Sequence, residues 1–219
     1  MIKRILAVAV LVGVGAPQTV AAQGLGFGVF GGSLGLGGEA AVGVTDRIVL
    51  RGGFGVFSFE PTVDVSDLSV ELDMPSSYHA GIDLYLNGSM RLSGGVLLRI
   101  DDPKLSGTFT EPQEIGGTEF SPAEIGTLTG VLDAKDQAPY LLIGFGKHID
   151  PGVGLFLDLG VAFVGEPDVR LGAQGGSLSP DAEPLKSALE REAQEIEDDL
   201  QGYLKYFPFI SLGLRFGVS

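Results

Sequence analysis

The feature that most constrains this chain is the alternation of side-chain character along its last stretch, residues 207–218. Successive side chains of a β-strand point to opposite faces, so every second residue lies on the same face. One face is wholly apolar: Ile210, Leu212, Leu214, Phe216 and Val218. The other face is small or charged: Ser211, Gly213, Arg215 and Gly217. A strand of a transmembrane barrel has this pattern, because one face contacts lipid and the other lines a narrow interior.

Seven earlier segments alternate in a similar way. The sequence therefore predicts an all-β fold, an eight-stranded antiparallel transmembrane β-barrel. The dipeptide Asn87-Gly88 supports one of its hairpins, because both residues tolerate a positive φ. The predicted strands are residues 23–30, 33–44, 47–59, 78–87, 90–101, 138–148, 153–164 and 207–218.

Residues 1–22 are predicted to be a secretory signal peptide, and residues 23–219 to be the barrel domain. Lys3 and Arg4 form the positive end, residues 5–14 form the apolar core, and small residues precede Gln23. A membrane anchor is the alternative, but this apolar run is short for a span of about 20 residues. Because no later stretch is long and apolar enough for a transmembrane helix, a secreted membrane protein of this sequence has to be a barrel.

Three long acidic segments separate the predicted strands: residues 60–77, 102–137 and 165–206. They carry net charges of −5, −5 and −6. The sum of these charges, −16, is the whole charge expected for the chain after loss of Lys3 and Arg4. We interpret them as extracellular loops, since turns on the periplasmic side of such barrels are short. A chain this acidic repels phosphate, so we expect no nucleic-acid partner. The absence of cysteine excludes disulfides, a thiol nucleophile and a lipoprotein anchor.

The strand count rests on the first alternating segment, because an even number of strands requires residues 23–30 to cross the membrane. The rival count omits this segment and uses residues 169–173 instead. The third long segment also contains a predicted amphipathic helix, about residues 180–202, with Ser179 as N-cap and Pro180 in the first turn. Its apolar side, which includes Leu185 and Leu189, is expected to lie against the barrel rim and close the outer mouth.

The charged residues of the strands fall mostly on the inward register. An outward Arg at the membrane midplane costs roughly 2 to 4 kcal/mol, so contact with lipid explains this distribution. An eight-stranded interior is only wide enough for side chains to fill, and buried acids should therefore meet bases. The sequence predicts a lumen charge network of Glu39, Arg51, Asp83, Arg91, Arg99, Asp101, Asp158 and Arg215.

Three sequence blocks carry a family resemblance: residues 33–37 with Glu39, residues 138–141, and residues 208–214. With them the chain resembles the small eight-stranded outer-membrane proteins of Gram-negative bacteria, and is similar to an uncharacterised proteobacterial family of such barrels. The resemblance implies a location in the outer membrane, contact with its lipid and lipopolysaccharide, and insertion by the barrel-assembly machinery. Such proteins usually end in Phe, whereas here Phe216 is followed by three further residues.

The best candidate for catalytic chemistry is His79, which is close in sequence to Ser76, Ser77 and Asp83. Lipid A deacylases have a Ser two residues after the His on one strand face, but here that residue is Gly81. His148 lies at a predicted turn, where we expect it to be solvated.

No cofactor or metal is expected. The acid pairs Asp101-Asp102 and Asp198-Asp199 lack the spacing of a calcium loop. The predicted function is therefore a non-enzymatic structural or surface-interaction role. The alternative is a narrow channel or a conduit for hydrophobic small molecules.

Overall fold

A computed structural model of the protein describes residues 24–57, 62–65, 68–166, 168–200 and 205–218. The predicted signal peptide, residues 1–22, lies outside these ranges, and its cleavage stays a prediction. None of the helices in the described residues is long and apolar enough to cross a membrane.

The described residues form fifteen strands and two helices. In chain order the elements are β1 (Leu25–Gly32), β2 (Gly35–Gly43), β3 (Ile48–Val56), β4 (Thr62–Val65), β5 (Leu68–Asp73), β6 (Ser77–Asn87), β7 (Met90–Arg99), β8 (Lys104–Phe109), β9 (Gln113–Ile115), β10 (Thr118–Phe120), α1 (Pro122–Ile125), β11 (Gly126–Asp133), β12 (Gln137–Phe145), β13 (Gly152–Phe163), β14 (Asp168–Gly175), α2 (Leu185–Leu200) and β15 (Tyr206–Val218).

Eight of these strands close into an antiparallel barrel in the order β1-β15-β13-β12-β7-β6-β3-β2. Strand β1 completes the closure, because Leu25 is paired with Val218 of β15 on one side and with Val42 of β2 on the other. The prediction of an eight-stranded barrel is therefore confirmed, with the first alternating segment as a barrel strand. The rival segment, residues 169–173, belongs to β14, which lies outside the barrel.

The outer wall of the barrel is apolar along every strand. On β1, Leu25, Phe27 and Val29 are exposed, whereas the intervening Gly26 and Gly28 are buried. The same alternation places exposed Leu, Ile, Val and Phe side chains around the whole circumference. Because this many exposed apolar side chains would be unfavourable in water, the belt is the surface that contacts lipid.

Half of the barrel wall continues beyond the rim as a second sheet, ordered β14-β11-β8-β5-β4. Strands β14, β11, β8 and β5 adjoin β13, β12, β7 and β6 in the chain, and the two sheets keep the same strand order. We call this end of the barrel the long-loop end, and the opposite end, with the Asn87-Gly88 hairpin, the short-turn end. Residues 60–77, 102–137 and 165–206, predicted as loops, contain no strand of the closed barrel in their described parts apart from the ends of β6, β12 and β15, but they are more ordered than predicted, because each contains strands of this sheet or of the β9–β10 hairpin.

Helix α2 begins five residues later than predicted, at Leu185 instead of residue 180. The reason is Pro184, since the helical conformation is disfavoured for the residue before a proline, which here is Glu183. The buried face of α2, with Leu185, Ala188 and Leu189, packs on Ile115, Phe120, Ile125 and Ala173 of the second sheet and its neighbours. The expectation that the apolar side of α2 lies against the rim is confirmed, because the second sheet extends the barrel wall beyond the rim. That the helix closes the outer mouth stays a prediction.

Candidate functional site

The candidate site lies inside the barrel, where five charged residues come together. We call Glu39, Arg51, Asp83, Arg91 and Asp158 the charge cluster. They sit on the inward register of β2, β3, β6, β7 and β13, and all five are buried. All five belong to the predicted lumen network. Apolar side chains pack on both sides, among them Val49 and Tyr85 towards the short-turn end and Leu97 towards the long-loop end.

Arg51 is the centre of the charge cluster, because its guanidinium contacts all three carboxyl groups. Its Nη1 lies 3.0 Å from Glu39 Oε2 and 2.7 Å from Asp158 Oδ2. Its Nε lies 3.2 Å from Asp83 Oδ2. Contacts at these distances between buried opposite charges offset part of the cost of removing these charges from water.

Arg91 joins the charge cluster to the short-turn end of the barrel. Its Nε lies 3.3 Å from Asp83 Oδ2, and its Nη2 donates a hydrogen bond to Asp158 Oδ1. Its Nη1 donates to the carbonyl oxygen of Gly146 at 2.6 Å, in the turn between β12 and β13. This bond attaches the β12–β13 turn to a side chain of the lumen. Asp83 and Asp158 each have both arginines, Arg51 and Arg91, as partners.

Two histidines complete the charge cluster, and the predicted lumen network included neither of them. Glu39 has one arginine partner, whereas Asp83 and Asp158 have two each. Both imidazoles lie beside Glu39: His148 Nε2 is 2.5 Å from Oε1 and His79 Nε2 is 3.5 Å from Oε2. The prediction that His148 is solvated was wrong, since it is buried with its ring centroid 4.7 Å from that of Phe156.

The inward register gives a signal for His79, because it alternates with Gly81 and Asp83 on one face of β6. His148 has no such signal, since it lies in an irregular turn that folds back into the lumen. Only the tertiary structure brings it to Glu39.

The structure places Ser77 two residues before His79, on the same inner face of β6. Neither Ser77 Oγ nor the two His79 ring nitrogens takes part in a hydrogen bond within the described protein. A serine nucleophile requires a base within hydrogen-bonding reach, about 2.6 to 3.2 Å. The pair therefore lacks the activating contact of a hydrolase in this structure.

Three residues of the predicted network lie away from the charge cluster, which corrects that part of the prediction. Asp101 follows the end of β7 and is exposed. Arg99 lies at the long-loop end, where its Nη2 donates to the carbonyl oxygen of Lys135 at 3.0 Å. Arg215 lies at the short-turn end, where its Nη1 donates to the carbonyl oxygen of Asp150 at 2.7 Å. Inward register alone fixes the direction of a side chain, whereas its height in the barrel decides its partners.

Glycines on the inner wall provide the space for these long side chains. A Cβ atom at Gly144 would lie 2.5 Å from Arg91 Cζ, and one at Gly53 would lie 2.6 Å from His79 Cε1. Real Cβ atoms do not approach other heavy atoms this closely, so a larger residue would displace the charged side chains. The abundance of glycine in the strands is thus explained by the filled interior.

A second feature is a cavity of about 210 Å³ at the long-loop end, which we call the mouth cavity. It lies between the short β1–β2 turn, with Ser33 and Leu34, and the base of the second sheet, with Pro103 and Leu132. Most of its lining is apolar. Between β13 and β14, outside the cavity lining, a side-chain hydrogen bond from Lys205 and its positive charge lower the pKa of Glu166 from its ordinary value.

Two solved structures have a similar fold. CarO2 of Acinetobacter baumannii matches with a TM-score of 0.61 and 19% identity, over 89% of this chain and 98% of that chain. CarO of the same organism matches with a TM-score of 0.59 and 20% identity, over 91% of this chain and 99% of that chain. A major outer membrane protein from Thermus thermophilus is more distant, with a TM-score of 0.44 and 15% identity, over 89% of this chain and 98% of that chain.

No protein-family model matches the sequence. Comparison with curated proteins gives no match either. The closed antiparallel barrel and its apolar outer belt, together with the structural likeness, identify this chain as a transmembrane β-barrel protein that shares its fold with CarO2 and CarO.

Proposed function

We propose that the protein is a non-enzymatic, non-conducting barrel of the outer membrane that presents its second sheet and helix α2 at the cell surface for interaction. The long-loop end is the extracellular end in this proposal, because periplasmic turns of such barrels are short and extracellular loops long. A cleaved signal peptide at residues 1–22 would bring the chain across the inner membrane.

The observation that carries the proposal is the packed charge cluster in the lumen. Arg91, Asp83 and Asp158 have no exposed surface, and Arg51 is nearly as buried. A water-filled pore would leave charged side chains on its wall hydrated, as in larger porins. Here five charged side chains from five strands contact one another across the interior, which supports a closed barrel.

The folded second sheet supports a role at the surface. Loops of a purely structural barrel need no sheet or core of their own, whereas this sheet has a core formed with helix α2. Contacts in the middle of the helix and in its last turn hold it in place: Glu192 accepts a hydrogen bond from Gly116 N at 2.8 Å, and Glu197 accepts one from Val169 N at 2.6 Å. A rigid surface of this kind is suited to binding, because little conformational entropy is lost on contact.

Lipid and lipopolysaccharide of the outer membrane are the proposed partners of the apolar belt. The barrel-assembly machinery is the proposed partner during insertion, when the last strand is recognised. These proposals rest on the alternation of β15, whose exposed residues include Ile210, Leu212 and Phe216.

Single-channel recording in planar bilayers tests the proposal. We expect the wild-type protein to insert without reproducible current steps above leak, because the charge cluster blocks the lumen. Protein recovered from the bilayer lipid should still migrate faster on a gel before boiling than after it, which shows that it inserted as a folded barrel. Reproducible conductance steps from folded protein would contradict a closed lumen.

The second candidate function is a conduit for hydrophobic small molecules, and the mouth cavity favours it. Uptake of such a solute through the barrel would require the charge cluster to open. The two functions are distinguished by solute flux into liposomes: a conduit would accelerate the entry of an apolar dye, whereas a closed surface protein would not.

A further inference from the structure

The mouth cavity combines an apolar wall with one polar corner. Its apolar lining includes Leu34, Leu97, Leu132, Val164 and Phe207. Its volume of 210 Å³ is many times the roughly 10 to 15 Å³ needed to hold one water molecule, which is enough for a short apolar chain.

Ser77 and Arg99 form the polar corner. They are directly paired across β6 and β7, so their side chains are neighbours on the inner wall, and both line the cavity. Ser77 is 4% exposed, and its Oγ has no hydrogen-bond partner within the described protein. Arg99 Nε is likewise buried and unpartnered, although Nη2 donates to the carbonyl oxygen of Lys135.

Arg99 is also weakly neutralised. Among the described residues, its carboxylate contact is Asp102 Oδ1, 4.0 Å from Nη2, and the Asp102 side chain is one-third exposed. Arg51 and Arg91, by comparison, have carboxylate oxygens within 3.3 Å. Among the described residues that line the mouth cavity, Arg99 is the one charged residue.

We infer that the mouth cavity is a binding site for a small amphipathic carboxylate, with the carboxylate at Arg99 and Ser77 and the apolar chain against Leu97 and Leu132. A guanidinium donates to a carboxylate in charge-assisted hydrogen bonds, which are stronger than neutral ones. A buried donor without an acceptor is costly, so a ligand that supplies the acceptor is favoured. The inference does not depend on the proposed function, because a site at the mouth can bind whether or not the lumen conducts.

The test uses full-length protein in phosphatidylcholine nanodiscs and saturation-transfer NMR titrations, with empty nanodiscs as background. Hexanoate carries both parts of the proposed ligand, hexanol carries the apolar chain alone, and acetate carries the carboxylate alone. The variants are Arg99→Gln, which removes the charge, and Ala134→Phe, which fills the cavity from a lining position. Arg170→Gln is the matched control, because Arg170 is exposed on the second sheet outside the cavity.

We expect wild-type protein and Arg170→Gln to bind hexanoate more tightly than hexanol or acetate. Arg99→Gln should weaken hexanoate by about tenfold or more and leave hexanol unchanged, since a hydrogen bond to a charged group is lost. Ala134→Phe should weaken both ligands. Equal hexanoate affinity in Arg99→Gln and wild type would overturn the inference, and so would the absence of saturable hexanoate binding to folded wild-type protein. The gel shift on boiling shows for each variant that the barrel is folded.

Discussion

Arg51 and Asp158 are 107 residues apart in the chain, yet Arg51 Nη1 lies 2.7 Å from Asp158 Oδ2 inside the barrel. Their strands, β3 and β13, are not neighbours: β6, β7 and β12 lie between them on one side. The contact therefore crosses the lumen. It holds opposite walls together as well as neutralising two buried charges.

Replacing Arg51 by Ala should lower the free energy of unfolding by about 3 to 5 kcal/mol, because three buried carboxyl groups lose their common partner. Denaturant titration of detergent-solubilised protein measures the change. Arg47→Ala is the matched control: it removes the same charge from an exposed turn and should change stability by less than about 0.5 kcal/mol. Unaltered stability in Arg51→Ala would mean that the charge cluster does not stabilise the barrel.

Two adjacent glycines on β7 should respond differently to alanine. A Cβ at Gly95 would lie 2.7 Å from the Tyr140 hydroxyl oxygen and closer still to the backbone of β6, whereas at Gly94 the nearest atom would be 3.8 Å away. We expect Gly95→Ala to cost about 1 to 3 kcal/mol through overpacking, and Gly94→Ala to be tolerated. Unfolding midpoints of the two variants, compared in the same detergent, decide the matter. Equal midpoints would show that the inner wall has room that the structure does not show.

The cost of placing a charged residue in the apolar belt should depend on how deep the position lies in the bilayer. Leu212 and Val218 lie on the same outer face of β15, with Leu212 near the middle of the strand and Val218 at its end. Leu212→Arg is expected to cost about 2 to 4 kcal/mol and Val218→Arg about 0 to 1 kcal/mol, because the penalty falls from the bilayer midplane to its interface. Unfolding titrations in lipid vesicles measure both. The same small cost at both positions would argue against membrane insertion along this face.

Single cysteines should reveal the orientation of the barrel, since the native chain has none. Gln194 is exposed on helix α2, and Gln194→Cys should react with a membrane-impermeant thiol reagent on intact cells. Ala193→Cys, one residue earlier but buried, should react slowly. Ser89→Cys, at the short-turn end, should react only after the outer membrane is disrupted. The reverse order of reactivity for Gln194→Cys and Ser89→Cys would place the helix in the periplasm.

The mature protein is predicted to begin at Gln23. Loss of residues 1–22 removes Lys3 and Arg4, so the mature chain should carry a formal charge of −16 instead of −14. Intact-mass spectrometry of protein purified from outer membranes measures the start directly. A mass corresponding to the full 219 residues would mean that the N-terminal segment is retained as an anchor.

The strands of the barrel were readable from sequence because lipid imposes a simple rule on each strand separately. A residue such as Leu212 or Phe27 has to be apolar wherever its neighbours lie, so alternation survives in the sequence. The same rule identified Glu39, Arg51, Asp83, Arg91 and Asp158 as inward-facing charges.

The second sheet was readable only in part: the alternation of residues 169–173 belongs to β14, but nothing in the sequence indicates which of its strands pair. Its pairings join segments far apart in the chain, as between Leu128 of β11 and Ala173 of β14. Helix α2 was recognised from the spacing of its apolar residues. Its start was predicted too early, because Ser179 and Pro180 form a favourable helix-start pattern, whereas the helix begins only after Pro184.

By itself, the sequence determined the class of fold, the number of barrel strands and the direction in which each residue of a barrel strand points, because these follow from period-2 alternation along one strand at a time. Only the tertiary structure decided which inward residues meet. Barrel closure and strand stagger set the height of each side chain, so Arg51 reaches Asp158 while Arg99 lies at the mouth beside Ser77. The tertiary structure also brings His148 into contact with Glu39, since a turn that folds into the lumen has no periodic pattern in the sequence.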